Sequence, residues 1–124
     1  LKTTILQIQE IPNHETVGYG RKEALDRDTK IATIRIGYAD GLDRKSGNRK
    51  GKVWINGKYA PIVGNVCMDL CMVDITGIDA KEGDSVIVFG ENLPVLEVAE
   101  SIDTIPYEIF TSISPRVKRV YVKE

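Results

Sequence analysis

Alternation of apolar and polar side chains is the dominant pattern of the chain, and it predicts β-strands. In residues 31–37, every second side chain from Ala32 to Ile36 is apolar, which is typical of a strand with one apolar face. Asn56 and Gly57 separate two apolar runs and tolerate the positive φ of a type I′ turn, so they predict a hairpin. The other strands are predicted at residues 2–11, 52–55, 58–63, 66–76, 85–89 and 116–122.

Helical periodicity is confined to the last third of the chain. Apolar residues between Val95 and Ile102 recur at i, i+3, i+4 and i+7, which predicts one helix, and a second short helix is predicted at residues 107–113. The polar, turn-rich residues 38–51 are predicted to be a surface loop. Seven or so short strands with one or two short helices predict a mainly β fold, an antiparallel β-barrel-like domain or a sandwich.

Composition agrees with this fold class and limits the size of the protein. Val and Ile number 27 against 13 for Leu and Ala, and β-branched side chains favour strands. A length of 124 residues fits one domain. Because the chain begins at Leu1 and enters patterned sequence at once, we expect it to be a piece of a longer protein.

Charge and cysteine content restrict the partners and the compartment. The 17 basic and 18 acidic residues nearly cancel, so we expect no general attraction to nucleic acid or to a membrane surface. No apolar run approaches the ~20 residues of a membrane span. If Cys67 and Cys71 share one strand they lie about 13 Å apart, too far for a disulfide. Reduced thiols indicate a cytoplasmic protein, and with His14 as the single histidine no metal site is predicted.

The usual catalytic constellations are missing from the sequence. His14 lies in a predicted turn, so no nucleophile has an obvious base beside it, and no phosphate-binding P-loop motif occurs. Asp40, Asp69 and Asp74 are interpreted as structural acids. Three tyrosines directly follow a Gly or a Pro. Their phenols either cover turns or act as acids and bases once their pKa is lowered. The residues alone do not decide between these two roles. The three tyrosines are Tyr19, Tyr38 and Tyr107.

One cluster of positive charge suggests a different function. A small barrel with a basic loop could be a stand-alone binding module for nucleic acid or protein. Nucleic-acid binding also needs exposed aromatic side chains among the cations, and only Trp54 and Tyr59 are near. A solvated loop is therefore the favoured interpretation of the cluster, which consists of Arg44, Lys45, Arg49, Lys50 and Lys52.

Several short motifs occur together in a fixed order along nearly the whole chain. They are residues 17–20 (VGYG), 36–41 (IGYADG), 61–64 (PIVG), 66–69 (VCMD), 83–84 (GD), 104–108 (TIPYE) and 111–117 (TSISPRV). In this order and spacing the chain resembles the C-terminal domain of alanine racemase, an enzyme that uses pyridoxal 5'-phosphate to interconvert L- and D-alanine for peptidoglycan synthesis. The resemblance implies that residues 1–124 are the C-terminal β domain.

The resemblance also implies what lies outside this chain. In the family, an N-terminal (β/α)8 barrel holds the cofactor on a lysine, and the β domain of one subunit completes the active site of the other subunit in a homodimer. No segment here matches the cofactor-lysine motif, so we expect this chain alone to be inactive. Its implied partners are alanine, its own N-terminal barrel and the second subunit.

The implied roles fall on seven residues. Tyr19 matches the base that removes the α-proton of L-alanine, since racemisation needs acid/base groups on both faces of the α-carbon. Met68 matches the residue whose backbone N–H binds the substrate carboxylate, and Tyr107 matches the tyrosine that binds the cofactor phosphate. The remaining four match positions lining the entrance to the active site: Tyr38, Arg44, Asp69 and Ile105.

Asn65 departs from the family pattern, which commonly has Arg before Val-Cys-Met-Asp. The change removes a cation at the entrance to the active site. It therefore leaves open the electrostatics of the entrance and the substrate preference of the enzyme. The local sequence also resembles racemases fused behind a peptidoglycan ligase module. A related pyridoxal-phosphate amino-acid decarboxylase is the neighbouring alternative, but its domain carries a different Cys-Asp substrate motif.

Overall fold

Six antiparallel strands form a closed barrel in this computed structural model, which describes residues 1–11 and 29–120 and the backbone of residues 16–17 and 23–24. The described residues contain eight strands in all, of which β2 and β3 pair with each other as a separate two-stranded sheet. The eight are β1 (Lys2–Ile11), β2 (Thr16–Val17), β3 (Glu23–Ala24), β4 (Thr29–Ile34), β5 (Lys52–Ile55), β6 (Lys58–Val63), β7 (Cys71–Asp74) and β8 (Ser85–Ile87). The barrel order is β1-β4-β7-β6-β5-β8, and β8 closes the ring by pairing with β1. The predicted mainly β, barrel-like class is therefore confirmed.

The barrel interior is filled by the alternating apolar residues that predicted the strands. On β5 and β6 the buried side chains include Val53, Ile55, Ala60 and Ile62. The predicted hairpin is confirmed: Ile55 pairs with Lys58, and the two turn residues have positive φ values of 47° and 88°.

Two short helices follow the barrel, as predicted: α1 (Val95–Ser101) and α2 (Pro106–Ser112). Two single 3₁₀ turns, Tyr38–Asp40 and Arg44–Ser46, precede β5. They belong to the segment predicted to be a surface loop, yet Leu42 and Ser46 within this segment are buried. The segment is therefore packed against the barrel.

Several predicted strands are shorter than expected. β4 ends at Ile34 because the Ile36 N–H turns back to donate to the Ile34 carbonyl (3.0 Å). Only Cys71–Asp74 of residues 66–76 form a strand, and β8 ends at Ile87. Cys67 therefore lies outside the strand that begins at Cys71, so the two cysteines do not share one strand; both are free thiols.

The closing strand predicted at residues 116–122 is wrong for its described part. Residues 116–120 are not a strand, and the Val117 N–H donates to the Ser114 carbonyl in a local turn (3.1 Å). In the closed ring β1 already pairs with β4 on one side and β8 on the other. A closed barrel offers no free edge to a further strand.

Candidate functional site

Two turns meet at one surface of the barrel and carry several of the predicted site residues. The Tyr38 turn (residues 37–41) follows β4, and the Met68 turn (residues 67–70) precedes β7. The Tyr38 N–H donates to the Cys67 carbonyl and the Ala39 N–H to the Met68 carbonyl, both at 2.9 Å. The two backbones are therefore held in direct contact.

Glycine at position 37 makes this contact possible. A Cβ at Gly37 would lie 2.2 Å from the Cys67 oxygen and 2.4 Å from the Met68 oxygen. Its φ of −150° is accessible to any residue, so the requirement is one of space alone. The predicted motif around Tyr38 thus includes a residue that sets the spacing of the two turns.

An open pocket of about 410 Å³ lies beside these turns. Three of the residues predicted at the site line it, Tyr38, Arg44 and Met68, together with Asn65. The Arg44 guanidinium carbon is 5.9 Å from the centre of the Tyr38 ring, which is within cation–π range. The structure therefore brings these predicted residues together.

Met68 lines this pocket, and its backbone N–H is a hydrogen-bond donor. Within the described part of the chain, the Met68 N–H donates to no acceptor, and the residue is 53% exposed. Backbone N–H groups are strong donors that normally find a partner. This one has no such partner among the described residues, so it is a candidate donor to a bound group.

Arg116 joins the two turns through their acidic side chains. Its Nε donates to Asp40 Oδ1 at 2.7 Å and its Nη2 to Asp69 Oδ1 at 2.6 Å. Asp40 Oδ2 also accepts from the Gly37 N–H at 3.0 Å. Burial opposes ionisation of Asp40, but the bonds from Arg116 and Gly37 outweigh it and lower the pKa of this carboxyl. The same two acids raise the pKa of Arg116.

Ile105 and Tyr107 lie at the beginning of α2, on a separate element. They are 62% and 72% exposed, respectively. The chain after the far end of this helix contacts the Tyr38 turn, where the Ser114 N–H donates to the Asp40 carbonyl at 3.0 Å. This contact connects α2 to the turns. Tyr19 and His14 lie outside the described residues.

Asp74, interpreted from sequence as a structural acid, has the contacts of one. It is 4% exposed and accepts hydrogen bonds from Arg49 Nη2 (3.1 Å) and from the Thr76 N–H (3.0 Å). Burial alone would raise its pKa, but the bonds from Thr76 and Arg49 lower it. Asp74 is therefore an anchor for the loop before β5.

The basic cluster is partly neutralised by such pairs. Arg49 pairs with Asp74, and Lys52 pairs with Glu97 of α1. The Lys52 ammonium also lies 4.1 Å from the centre of the Tyr59 ring. Two of the five cations are thus paired with carboxylates of the fold, which weakens the case for a nucleic-acid surface. In the described ranges no cluster of potential metal ligands occurs, and no helix is long and apolar enough to cross a bilayer.

The described residues thus form a small closed antiparallel β-barrel domain with an open pocket and exposed tyrosine side chains on its surface. Comparison with known families identifies the family of this domain. The family described as "Alanine racemase, C-terminal domain" matches residues 1–121. The chain therefore belongs to this family.

Individual relatives agree with the family assignment. The chain is 50% identical to the alanine racemase of Clostridium novyi (strain NT), a match covering 99% of this chain and 33% of the relative. Against the alanine racemase of Helicobacter acinonychis (strain Sheeba) the identity is 47%, covering 98% and 33%. The chain thus spans about a third of the length of the curated relatives it matches.

Two solved structures share the same fold. The Bartonella henselae alanine racemase with covalently bound pyridoxal phosphate superposes with a TM-score of 0.92 at 41% identity, covering 98% of this chain and 34% of that one. The biosynthetic alanine racemase of Pseudomonas aeruginosa gives a TM-score of 0.93 at 33% identity, covering 98% and 34%.

Proposed function

We propose that residues 1–124 are the C-terminal β domain of a pyridoxal-phosphate-dependent alanine racemase that interconverts L- and D-alanine for peptidoglycan synthesis. The observation that carries the proposal is the backbone N–H of Met68, a residue of the open pocket, which has no partner among the described residues. The relatives of this chain are alanine racemases. A donor of this kind suits a carboxylate, because hydrogen bonds to a charged acceptor are stronger than neutral ones.

Met68 binds the substrate through its main chain in this proposal. The thioether has no strong hydrogen-bonding group, so its exposure does not interfere with recognition by the N–H. A backbone donor cannot lose a proton at neutral pH, and it therefore holds the carboxylate without taking part in proton transfer. Met68 is a substrate-binding residue.

Tyr19 supplies the base on one face of the α-carbon. Racemisation removes the α-proton from one face and returns a proton to the other, so two opposed acid/base groups are needed. We assign the L-face to the Tyr19 phenol and the D-face to the lysine that carries the cofactor in another domain. The bound cofactor supplies the sink for the electrons of the broken C–H bond.

The phenol of Tyr107 fits the cofactor phosphate. It is exposed at the beginning of α2, and in the described part of the chain its hydroxyl has no hydrogen-bond partner within the fold. Tyr38, Arg44, Asp69 and Ile105 line the entrance to the site in this proposal, and the exposure of Tyr38 and Ile105 supports that placement.

The partners in this proposal are the protein's own N-terminal barrel and the second subunit of a homodimer. Large apolar side chains that remain exposed in this domain give it a surface to bury, as exposed apolar patches commonly mark interfaces. We further propose a cytoplasmic enzyme with no nucleic-acid or membrane partner. Those exposed side chains include Met68, Leu70, Ile105, Tyr107 and Phe110.

The test is Tyr19→Phe in the full-length protein, measured by exchange of the α-proton for deuterium from each enantiomer in D₂O. Exchange from L-alanine should slow by about 10²–10⁴-fold, the usual contribution of an acid/base group, while exchange from D-alanine continues. Net racemisation must fall equally in both directions, because a catalyst leaves the equilibrium constant unchanged.

Tyr59→Phe is the matched control. It also removes one phenolic hydroxyl, which here donates to the Asn92 carbonyl at 3.1 Å, and should leave both exchange rates within about twofold. Unchanged relative rates for the two enantiomers in Tyr19→Phe would refute the assignment of the base.

A further inference from the structure

We propose that Arg116 is a positioning residue that fixes the Met68 turn against the Tyr38 turn and thereby directs the Met68 N–H toward the substrate carboxylate. This inference rests on the proposed function and deepens it. Arg116 does not line the pocket beside Met68, so it acts on the substrate through the backbone. The sequence motif at residues 111–117 contains it without indicating a role.

The geometry of the guanidinium carries the argument. Nε binds Asp40 at 2.7 Å and Nη2 binds Asp69 at 2.6 Å, so one rigid plane spans acids from two turns. The donors of an arginine are fixed relative to one another, whereas a lysine offers a single compact ammonium on a flexible stem. Arg116 therefore sets the separation of the two carboxylates as well as neutralising them.

One end of this bridge is firmly anchored. Asp40 accepts from the Gly37 N–H through its side chain and from the Ser114 N–H through its carbonyl, both at 3.0 Å. The side chain of Asp69 is 60% exposed. Asp40 is thus the fixed point, and Arg116 transmits its position to Asp69, the neighbour of Met68 in the chain.

Loss of the bridge should affect binding rather than chemistry. The substrate carboxylate keeps its charge throughout racemisation, so its bond to the Met68 N–H contributes equally to the ground state and the transition state. Removing such uniform binding raises KM and leaves kcat unchanged. A purely structural defect would instead lower the amount of active enzyme and therefore kcat.

The kinetic test uses Arg116→Gln and Arg116→Lys in the full-length holoenzyme. We expect Arg116→Gln to raise the KM for alanine by about 5–10-fold, the equivalent of one weakened charged hydrogen bond, with kcat within about twofold. Arg116→Lys should fall between this variant and the wild type. Arg119→Gln is the matched control, since Arg119 binds only the nearby Val117 and Ile113 carbonyls among the described residues.

A second measurement does not depend on activity. Hydrogen exchange of the full-length protein should accelerate at the Tyr38 and Ala39 amides, which donate to the Met68 turn, in Arg116→Gln and Asp69→Asn but not in Arg119→Gln. The amides of β7 should stay protected in all variants, which shows that the fold is retained.

The two measurements separate the two proposals. A wild-type protein that does not racemise alanine overturns the proposed function, while accelerated exchange still supports the bridge. Unchanged exchange in Arg116→Gln overturns the positioning role, whatever the activity. A fall in kcat at unchanged KM also overturns it.

Discussion

Replacement of Gly37 by Ala should lower the free energy of unfolding of this domain more than the addition of one methyl group usually does. The added Cβ would lie 2.2 Å from the Cys67 oxygen and 2.4 Å from the Met68 oxygen, both backbone atoms that cannot rotate away. Ordinary contact begins near 3.4 Å, so the Tyr38 and Met68 turns must separate by about 1 Å.

The size of the effect follows from the hydrogen bonds that break and from the crowding that remains. Separation breaks the hydrogen bonds from the Tyr38 and Ala39 N–H groups, both 2.9 Å long, at about 0.5–1.5 kcal/mol each. Accommodating an extra methyl group in a closely packed site adds about 1–3 kcal/mol. The free energy of unfolding should therefore fall by about 2–6 kcal/mol, a large share of the total for a domain of this size.

Urea unfolding followed by the fluorescence of Trp54, the single tryptophan of the chain, measures this decrease. Gly90→Ala is the matched control, because its Cβ would meet only the Ile87 Cγ2 at 3.3 Å and should change stability by less than about 1 kcal/mol. In the full-length enzyme, Gly37→Ala should also raise the KM for alanine. Equal stability of the two variants would show that the turns are not held as closely as the structure indicates.

Two further predictions concern buried groups. Burial, with a smaller contribution from Cys67, raises the pKa of the Cys71 thiol to about 12. Iodoacetamide at pH 8 should therefore label Cys67 and spare Cys71, which mass spectrometry of digests would measure. Equal labelling of the two cysteines would contradict this prediction. The pKa of Asp74 is lowered, so its stabilisation is present above the ordinary pKa of about 4 and is lost as pH falls through the folded value. Asp74→Asn should therefore lower the free energy of unfolding by about 1–3 kcal/mol at pH 7 and flatten its decline below about pH 4; an unchanged acid limb in unfolding curves would refute that assignment.

The strands that the sequence predicted well are those whose boundaries depend on local chemistry. Asn56 and Gly57 adopt the positive φ values that both residue types tolerate, and the residues flanking them pair as the two-residue turn requires. Residues 116–120 show the limit of the same reasoning. Alternation predicts a strand there, but pairing needs a free edge, and closure of the barrel between β8 and β1 removes it. Closure is a property of the whole fold, so no local pattern reports it.

The candidate site likewise contains residues that the sequence indicated and contacts that it did not. The motifs marked Tyr38 and Met68 as residues of interest, and the structure places both at one pocket. The partners of Arg116 are 76 and 47 residues away in sequence, and either acid could equally have faced water. Only the folded chain brings them together, which is why the alternation around Arg116 predicts a strand and gives no sign of the bridge.

The proposed recognition of the substrate by the Met68 N–H changes which substitutions should impair substrate binding. The position of the backbone in the Met68 turn sets the direction of the Met68 N–H. The Met68 side chain has no strong hydrogen-bonding group of its own. A substitution of Met68 by any residue except proline keeps the donor, whereas Gly37→Ala moves the backbone that carries it. Breaking the Arg116 bridge releases the same turn from its other side. Residues that need not touch the substrate should therefore control its binding more strongly than the Met68 side chain does.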